Sequence, residues 1–164
     1  MQPHPPHPPS QPPSPFRPSW VLRNQLALGG APRRLSHLER LEQEGVHGIL
    51  SLCAVEEAPP PEDLNSRFKC RRVVLPDHRS GRAPEPAELE LALQHLAELL
   101  QGGAVYVHCV AAVERSPLIC LAWLMRVRQL PLLDALDYLM QVHPGTGPLP
   151  EQLARLREIS SFSC

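Results

Sequence analysis

The sequence predicts an α/β fold: one domain built on a central, mostly parallel sheet of four to five strands flanked by helices. Three observations carry this expectation. From Trp20 onward, short apolar runs alternate with longer stretches of helical periodicity. The helical stretches are long enough to cross back over a sheet, which favours parallel pairing. The chain has 164 residues and a net charge of −1, which suits a single domain able to bury a core.

In chain order, Leu26-Ala-Leu28 reads as a short strand closed by Gly29-Gly30. Residues 32–44 form an amphipathic helix that stops at Gly45. Val46 to Leu52 is a strand, and Ala58 to Pro61 a loop. Phe68 to Leu75 is a strand that leads to Asp77. Pro86 to Leu100 places Leu89, Ala92, Leu93, Leu96 and Leu100 on one helical face, with Gly102-Gly103 as a stop. Ala104 to Val107 is the central strand. Helices follow at 117–129, 132–142 and 150–160. The stretch Leu118 to Met125 is apolar all round, so Leu121 and Trp123 belong to the core, and Tyr138 to helix packing.

Residues 1–19 differ in kind. Nine of the first eighteen residues are proline, mixed with Gln, Ser and His. Such a segment cannot build a core and is expected to be an extended, disordered leader; a docking site for a proline-reading partner is the functional alternative. The folded domain is expected over residues 20–160. No basic stripe argues for nucleic acid. The longest strongly apolar run is too short to span a bilayer, and the N-terminus lacks the apolar core of a secretory signal. Five cysteines without regular spacing suit a reducing cytoplasm better than a disulfide framework. No Cys/His cluster has zinc-ligand spacing, so neither metal nor cofactor is expected.

The chemistry concentrates at residues 104–116, where an apolar strand runs into His108-Cys109 and Arg115-Ser116 opens a helix. Spacing alone is weak support, because Cys120 and Arg126 are equally far apart. That second pair lies inside a helix whose amides are already bonded. At Cys109 the context is a strand before and a helix after. There, unpaired amides and the positive helix end favour a thiolate. The amides of Val110, Ala111, Ala112, Val113, Glu114 and Arg115 can converge on phosphate oxygens. The Arg115 guanidinium adds a two-pronged contact. Ser116 can donate a hydrogen bond to the departing sulfur, and His108 can order the loop from below. Asp77 follows an apolar stretch on a turn-rich loop. It reads either as a turn-former or as the acid that protonates a leaving oxygen and then the base that activates water.

With these residues in register, the chain resembles the dual-specificity phosphatases of the cysteine-dependent protein tyrosine phosphatase superfamily. His108, Cys109, Arg115, Ser116 and Asp77, 32 residues before the cysteine, carry the resemblance. It extends over roughly residues 20–160. It implies a phosphocysteine at Cys109, phosphate binding by Arg115 and the loop amides, and proton transfer by Asp77. A phosphorylated protein side chain is the implied substrate. Two positions depart from the family pattern. Ala112 stands where glycine is usual, and its methyl group is expected to narrow the loop or strain the backbone. Glu114 stands where a small residue is usual. An inward carboxylate would repel phosphate; an outward one would be harmless. Three alternatives stay open: a phosphate-binding protein with weak turnover, a phosphatase acting on a lipid or RNA end, and an arsenate reductase or sulfur carrier that would not need Asp77.

Three further residues flank the proposed acid. His78, Arg79 and Arg82 could form a basic rim for phosphorylated substrates or be ordinary surface charge. Cys53 ends a strand; it is either a small buried residue or, by resemblance to some lipid phosphatases, a disulfide partner for Cys109.

Overall fold

In the computed structural model, which describes residues 15–159, five strands form one sheet. They are β1 (Ser19–Leu22), β2 (Leu26–Gly29), β3 (Val46–Ser51), β4 (Lys69–Arg72) and β5 (Ala104–His108). The order across the sheet is β1-β2-β5-β3-β4. β2, β5, β3 and β4 run parallel, and β1 pairs antiparallel with β2. Six helices cover the sheet: α1 (Leu35–Gln43), α2 (Leu64–Arg67), α3 (Pro86–Leu100), α4 (Arg115–Val127), α5 (Leu132–Val142) and α6 (Pro150–Ile159).

β5 lies at the centre, and all five of its residues are buried. Alternate side chains leave opposite faces of a strand. Val105 and Val107 join Leu26, Leu28, Leu50 and Leu52 in the larger core, against α3 and α4. Tyr106 points the other way, into a smaller cluster with Ile49 and with Leu38 and Leu41 of α1. Helix α3 shows why the local sequence folds as it does. Pro86 occupies its first turn, and Glu88 accepts a hydrogen bond from the Glu85 amide at 2.9 Å. Leu89, Ala92, Leu93, Leu96 and Leu99 form its buried stripe, with Leu100 partly buried behind them. Past its end, Gly103 has φ +143°, which a side chain would oppose both by strain and by contact with His47.

The fold class agrees with expectation, and several boundaries differ. Strand β1 was not expected. It leaves a proline-rich stretch and returns through Asn24, whose φ of 61° closes a tight turn. Packing also begins before residue 20: Phe16 stacks on His37 with ring centroids 4.4 Å apart. The expectations for residues 1–14, and for residue 160 in the last helix, lie outside the described residues. Helix α1 starts at Leu35 rather than 32, after Arg34 in extended conformation. β4 ends at Arg72, although the amides of Val73 and Leu75 still donate to Ser51 and Leu52 carbonyls. α2 was not expected. α4 starts at Arg115 rather than 117, so the arginine sits inside the first helical turn. Trp123 is only partly buried against the core, and the Tyr138 hydroxyl ties α5 to β1 by donating to the Val21 carbonyl. Among the described residues, no helix is long and apolar enough to cross a membrane.

Candidate active site

The C-terminal ends of β3, β4 and β5 lie side by side at one end of the sheet, where parallel sheets place ligands. β5 delivers His108 and Cys109 to it. The His108 ring is buried and bonded at both nitrogens. Nδ1 donates to the Cys109 carbonyl at 2.9 Å, so Nε2 accepts from Ser51 Oγ at 2.7 Å. Burial pushes the imidazole down to about 4, so it stays neutral and acts as a structural pin between β5 and β3.

From Cys109 the chain wraps into a loop and enters α4. Three loop carbonyls are held by the surroundings. Ala31 N–H donates to Val110 O at 3.1 Å, His143 Nε2 to Ala112 O at 2.7 Å, and Gly147 N–H to Val113 O at 2.8 Å. In a trans peptide the carbonyl and the following N–H point in opposite directions. Carbonyls pulled outward therefore turn the amides of Ala111, Val113 and Glu114 inward. Among the described residues, none of the amides of 110–114 donates to a backbone carbonyl. These three amides line a cup beside Cys109, whose Sγ lies 3.3 Å from Ser116 Oγ. Cys109 is 3% exposed and Ser116 is fully buried.

Ala112 sits at φ +58° with its methyl group buried. The expected strain is present, because the left-handed region costs a non-glycine residue about 1 kcal/mol or more. The loop holds that conformation through a relay in which Ser19 Oγ donates to His143 Nδ1 at 2.9 Å and His143 holds Ala112.

Arg115 is 4% exposed and anchored at one end. Its Nη atoms donate to both Glu57 oxygens at 3.1 and 3.0 Å, and Nη1 also reaches the Leu75 carbonyl at 3.3 Å. Its Nε has no protein acceptor among the described residues. Glu57 was missed in the sequence. It lies on a short 3₁₀ turn (Val55–Glu57) with no motif of its own; only an acid 58 residues from Arg115 marks it. The Arg115 hydrogen bond holds the Glu57 carboxyl below its ordinary value.

Asp77 opens a second 3₁₀ turn (His78–Ser80) at the rim, 8% exposed. Its carboxylate accepts from Arg79 N at 3.0 Å and Arg79 Nε at 2.9 Å, and lies 3.8 Å from Arg115 Nη2. Burial raises its carboxyl, but the Arg79 hydrogen bonds and the Arg115 charge outweigh this and hold it below the ordinary value. Asp77 therefore caps a turn, one of the two readings the sequence allowed, and its carboxylate lies beside the Arg115 guanidinium.

The basic rim is not free charge. Arg79 bridges Asp77 and Glu57, Arg82 pairs with Glu88 at 2.6 Å, and His78 pairs with Glu114. Glu114 points outward, away from the cup. Cys53 is a free thiol, fully buried with Ala31 and Ala58 and packed against Val110; burial pushes it up. Cys120 is buried within α4 and its thiol is raised well above its ordinary value, so the second Cys/Arg pair offers no site. Among the described residues, no cluster of His, Cys, Asp and Glu is placed to hold a metal ion.

Comparisons with known proteins agree with this geometry. The family model "Dual specificity phosphatase, catalytic domain" matches residues 37–162. Human dual specificity protein phosphatase 1 is 48% identical over 126 residues, covering 76% of this chain and 34% of that protein. The phosphatidylglycerophosphate phosphatase PTPMT2 of Arabidopsis thaliana is 27% identical over 145 residues, covering 84% of this chain and 63% of that protein. The chain thus spans less than two thirds of the length of either relative. Among solved structures, Tk-PTP in its active form superposes with a TM-score of 0.77 at 23% identity, over 89% of this chain and 97% of that one. A human DUSP28 variant gives 0.74 at 25% identity, over 90% and 96%. With the cup, its cysteine and its arginine in place and the family match covering most of the sequence, the chain belongs to the dual specificity phosphatase family of cysteine-dependent phosphatases.

Proposed function

We propose that this chain hydrolyses phosphomonoesters on protein side chains through a covalent phosphocysteine at Cys109. In the first step Sγ attacks phosphorus and forms the S–P bond. The P–O bond to the leaving group breaks, and Asp77 gives that oxygen its proton. The inward amides of the loop and Arg115 hold the three phosphoryl oxygens as charge spreads over them. In the second step the Asp77 carboxylate takes a proton from water, and the resulting oxygen attacks phosphorus. Sγ departs as a thiolate, with Ser116 Oγ donating to it. Because Arg79 and Arg115 hold the Asp77 carboxyl low, the acid step is favoured at acidic pH in the free enzyme. A bound phosphoryl dianion beside it opposes ionisation and shifts the proton back. The thiolate chemistry needs Cys109 reduced, which suits the cytoplasm as its setting.

The observation that carries this reading is Cys109 Sγ at the base of a cup of amides, 3.3 Å from Ser116 Oγ. Hydrolysis of p-nitrophenyl phosphate tests it. The wild type is expected to turn over, Cys109→Ser to fall to background and Asp77→Asn to lose most of its rate. Full activity in Cys109→Ser would reject the mechanism, and an inert wild type that still binds phosphate would favour a binding protein. A lipid phosphate is the second reading, motivated by the Arabidopsis relative whose name specifies phosphatidylglycerophosphate. Comparing kcat/KM on phosphotyrosine peptide, phosphothreonine peptide and phosphatidylglycerophosphate vesicles separates the two.

A further inference from the structure

The Glu114 side chain takes no part in the chemistry described above, yet its carboxylate is bonded three times at the rim. Its backbone belongs to the cup, and its carbonyl caps α4 by accepting from Leu118 N–H at 3.0 Å. Its side chain leaves the cup and meets two separate elements. Oε1 accepts from the His78 backbone N–H at 3.0 Å, and Oε2 faces His78 Nδ1 at 2.5 Å. Oε1 also accepts from Gln152 Nε2 at 2.8 Å. Gln152 is 2% exposed, and its own Oε1 accepts from Leu149 N–H at 2.7 Å, so the amide cannot turn over. His78 is the residue after Asp77 and the first of the turn that Asp77 caps.

We propose that Glu114 is a positioning residue: a latch that fixes the Asp77 turn over the cup by clamping His78 to the buried Gln152 of α6. The inference rests on the reading of Asp77 as the proton donor. The small residue usual before the arginine has no side chain long enough to make these bonds. In this chain the acid turn is tied to the cup from inside the phosphate loop itself. The carboxylate is turned outward by three donors, so it costs phosphate binding little and contributes by restricting where Asp77 can be.

The test separates positioning of the acid from damage to the cup. A substrate with a poor leaving group, phenyl phosphate, needs the proton; difluoromethylumbelliferyl phosphate, with an acidic leaving group, scarcely does. The ratio of kcat/KM on the second to that on the first reads the acid's contribution, because kcat/KM includes only steps up to departure of the leaving group. In the full chain, Asp77→Ala is expected to raise this ratio by about 10²-fold, the usual size of a general-acid contribution, and Glu114→Ala by about tenfold. His78→Ala removes a 59% exposed side chain but keeps the backbone bond. It is expected to raise the ratio in the same direction by less, and keeps the test open if Glu114→Ala does not fold. If Asp77→Ala raises the ratio while Glu114→Ala and His78→Ala leave it unchanged, or lower both substrates equally, the latch is overturned and the acid stands. An unchanged ratio in Asp77→Ala overturns the acid role and the latch with it.

Discussion

The cup over Cys109 and the turn that carries Asp77 face each other across the same crevice but are held by different forces. The cup is packed. Cys109, Ala112, Arg115 and Ser116 are all buried, and its carbonyls are fixed from two separate loops, at Ala31 and at His143 and Gly147. The turn is held by charge. Arg79, which grips Asp77, is 64% exposed, and His78 is 59% exposed. Exposed ion pairs are weak and screened by salt, whereas a packed backbone is not. The part proposed to bind phosphate is therefore built to stay as it is, and the part proposed to move protons is built to respond to its surroundings.

Changes at the cup should be the most severe. Cys109→Ser should bring hydrolysis of p-nitrophenyl phosphate to background while phosphate binding, followed by calorimetry, persists; lost binding would mean that the sulfur organises the cup as well as reacting. Arg115→Lys keeps the charge but not the planar fork that holds Glu57 and the phosphoryl group together, and should lower kcat by about 10²- to 10³-fold. The pin beneath the cup has a pH signature. His108 is neutral when folded, with its value depressed to about 4 from 6.5. The unfolded chain therefore binds the extra proton first: the stabilisation is complete above about pH 6.5 and lost as pH falls toward about 4, a loss of roughly 3 kcal/mol. Urea midpoints between pH 4 and 7 measure it; a flat profile would show that the ring does not stay neutral.

The turn should respond by degree. Arg79→Ala removes the side-chain bond and the charge that help hold the Asp77 carboxyl low, keeps the backbone N–H bond, and leaves burial, which raises it. The basic limb of the kcat/KM profile should then move to higher pH, and added salt should shift the wild type the same way; a downward shift would assign that limb to another group. The smallest effect tests the strain in the cup. Ala112→Gly relieves the left-handed φ but frees the unfolded chain, so the net gain should be no more than about 1 kcal/mol in a denaturant titration, with kcat nearly unchanged.

The same division explains what the sequence could reveal. The cup was legible because its chemistry is local: Cys109, Arg115 and Ser116 lie within one strand–loop–helix unit, and the apolar alternation of β5 and α3 marks their frame. Asp77 was legible from its place after an apolar run. Glu57 was not, because it meets Arg115 only after β3 and β5 pair, and the residues around it carry no pattern. The outward course of Glu114 depended on His78 and Gln152, residues from distant elements. β1 was hidden by the proline-rich stretch beside it and by its dependence on β2 for a partner.

The relay from Ser19 through His143 to Ala112, together with the Ala31 bond to Val110, gives the first strands a task far from their own position. The stretch recognised by the family model begins at residue 37, after both of them. A fragment trimmed to that stretch would lose β1 and β2, the Phe16, Trp20 and Ala27 side of the packing around Tyr106 and two of the struts under the anion loop. Expression designs that seek a minimal catalytic unit should therefore start upstream of Phe16, and an inactive shorter fragment would report a missing foundation rather than a defective nucleophile.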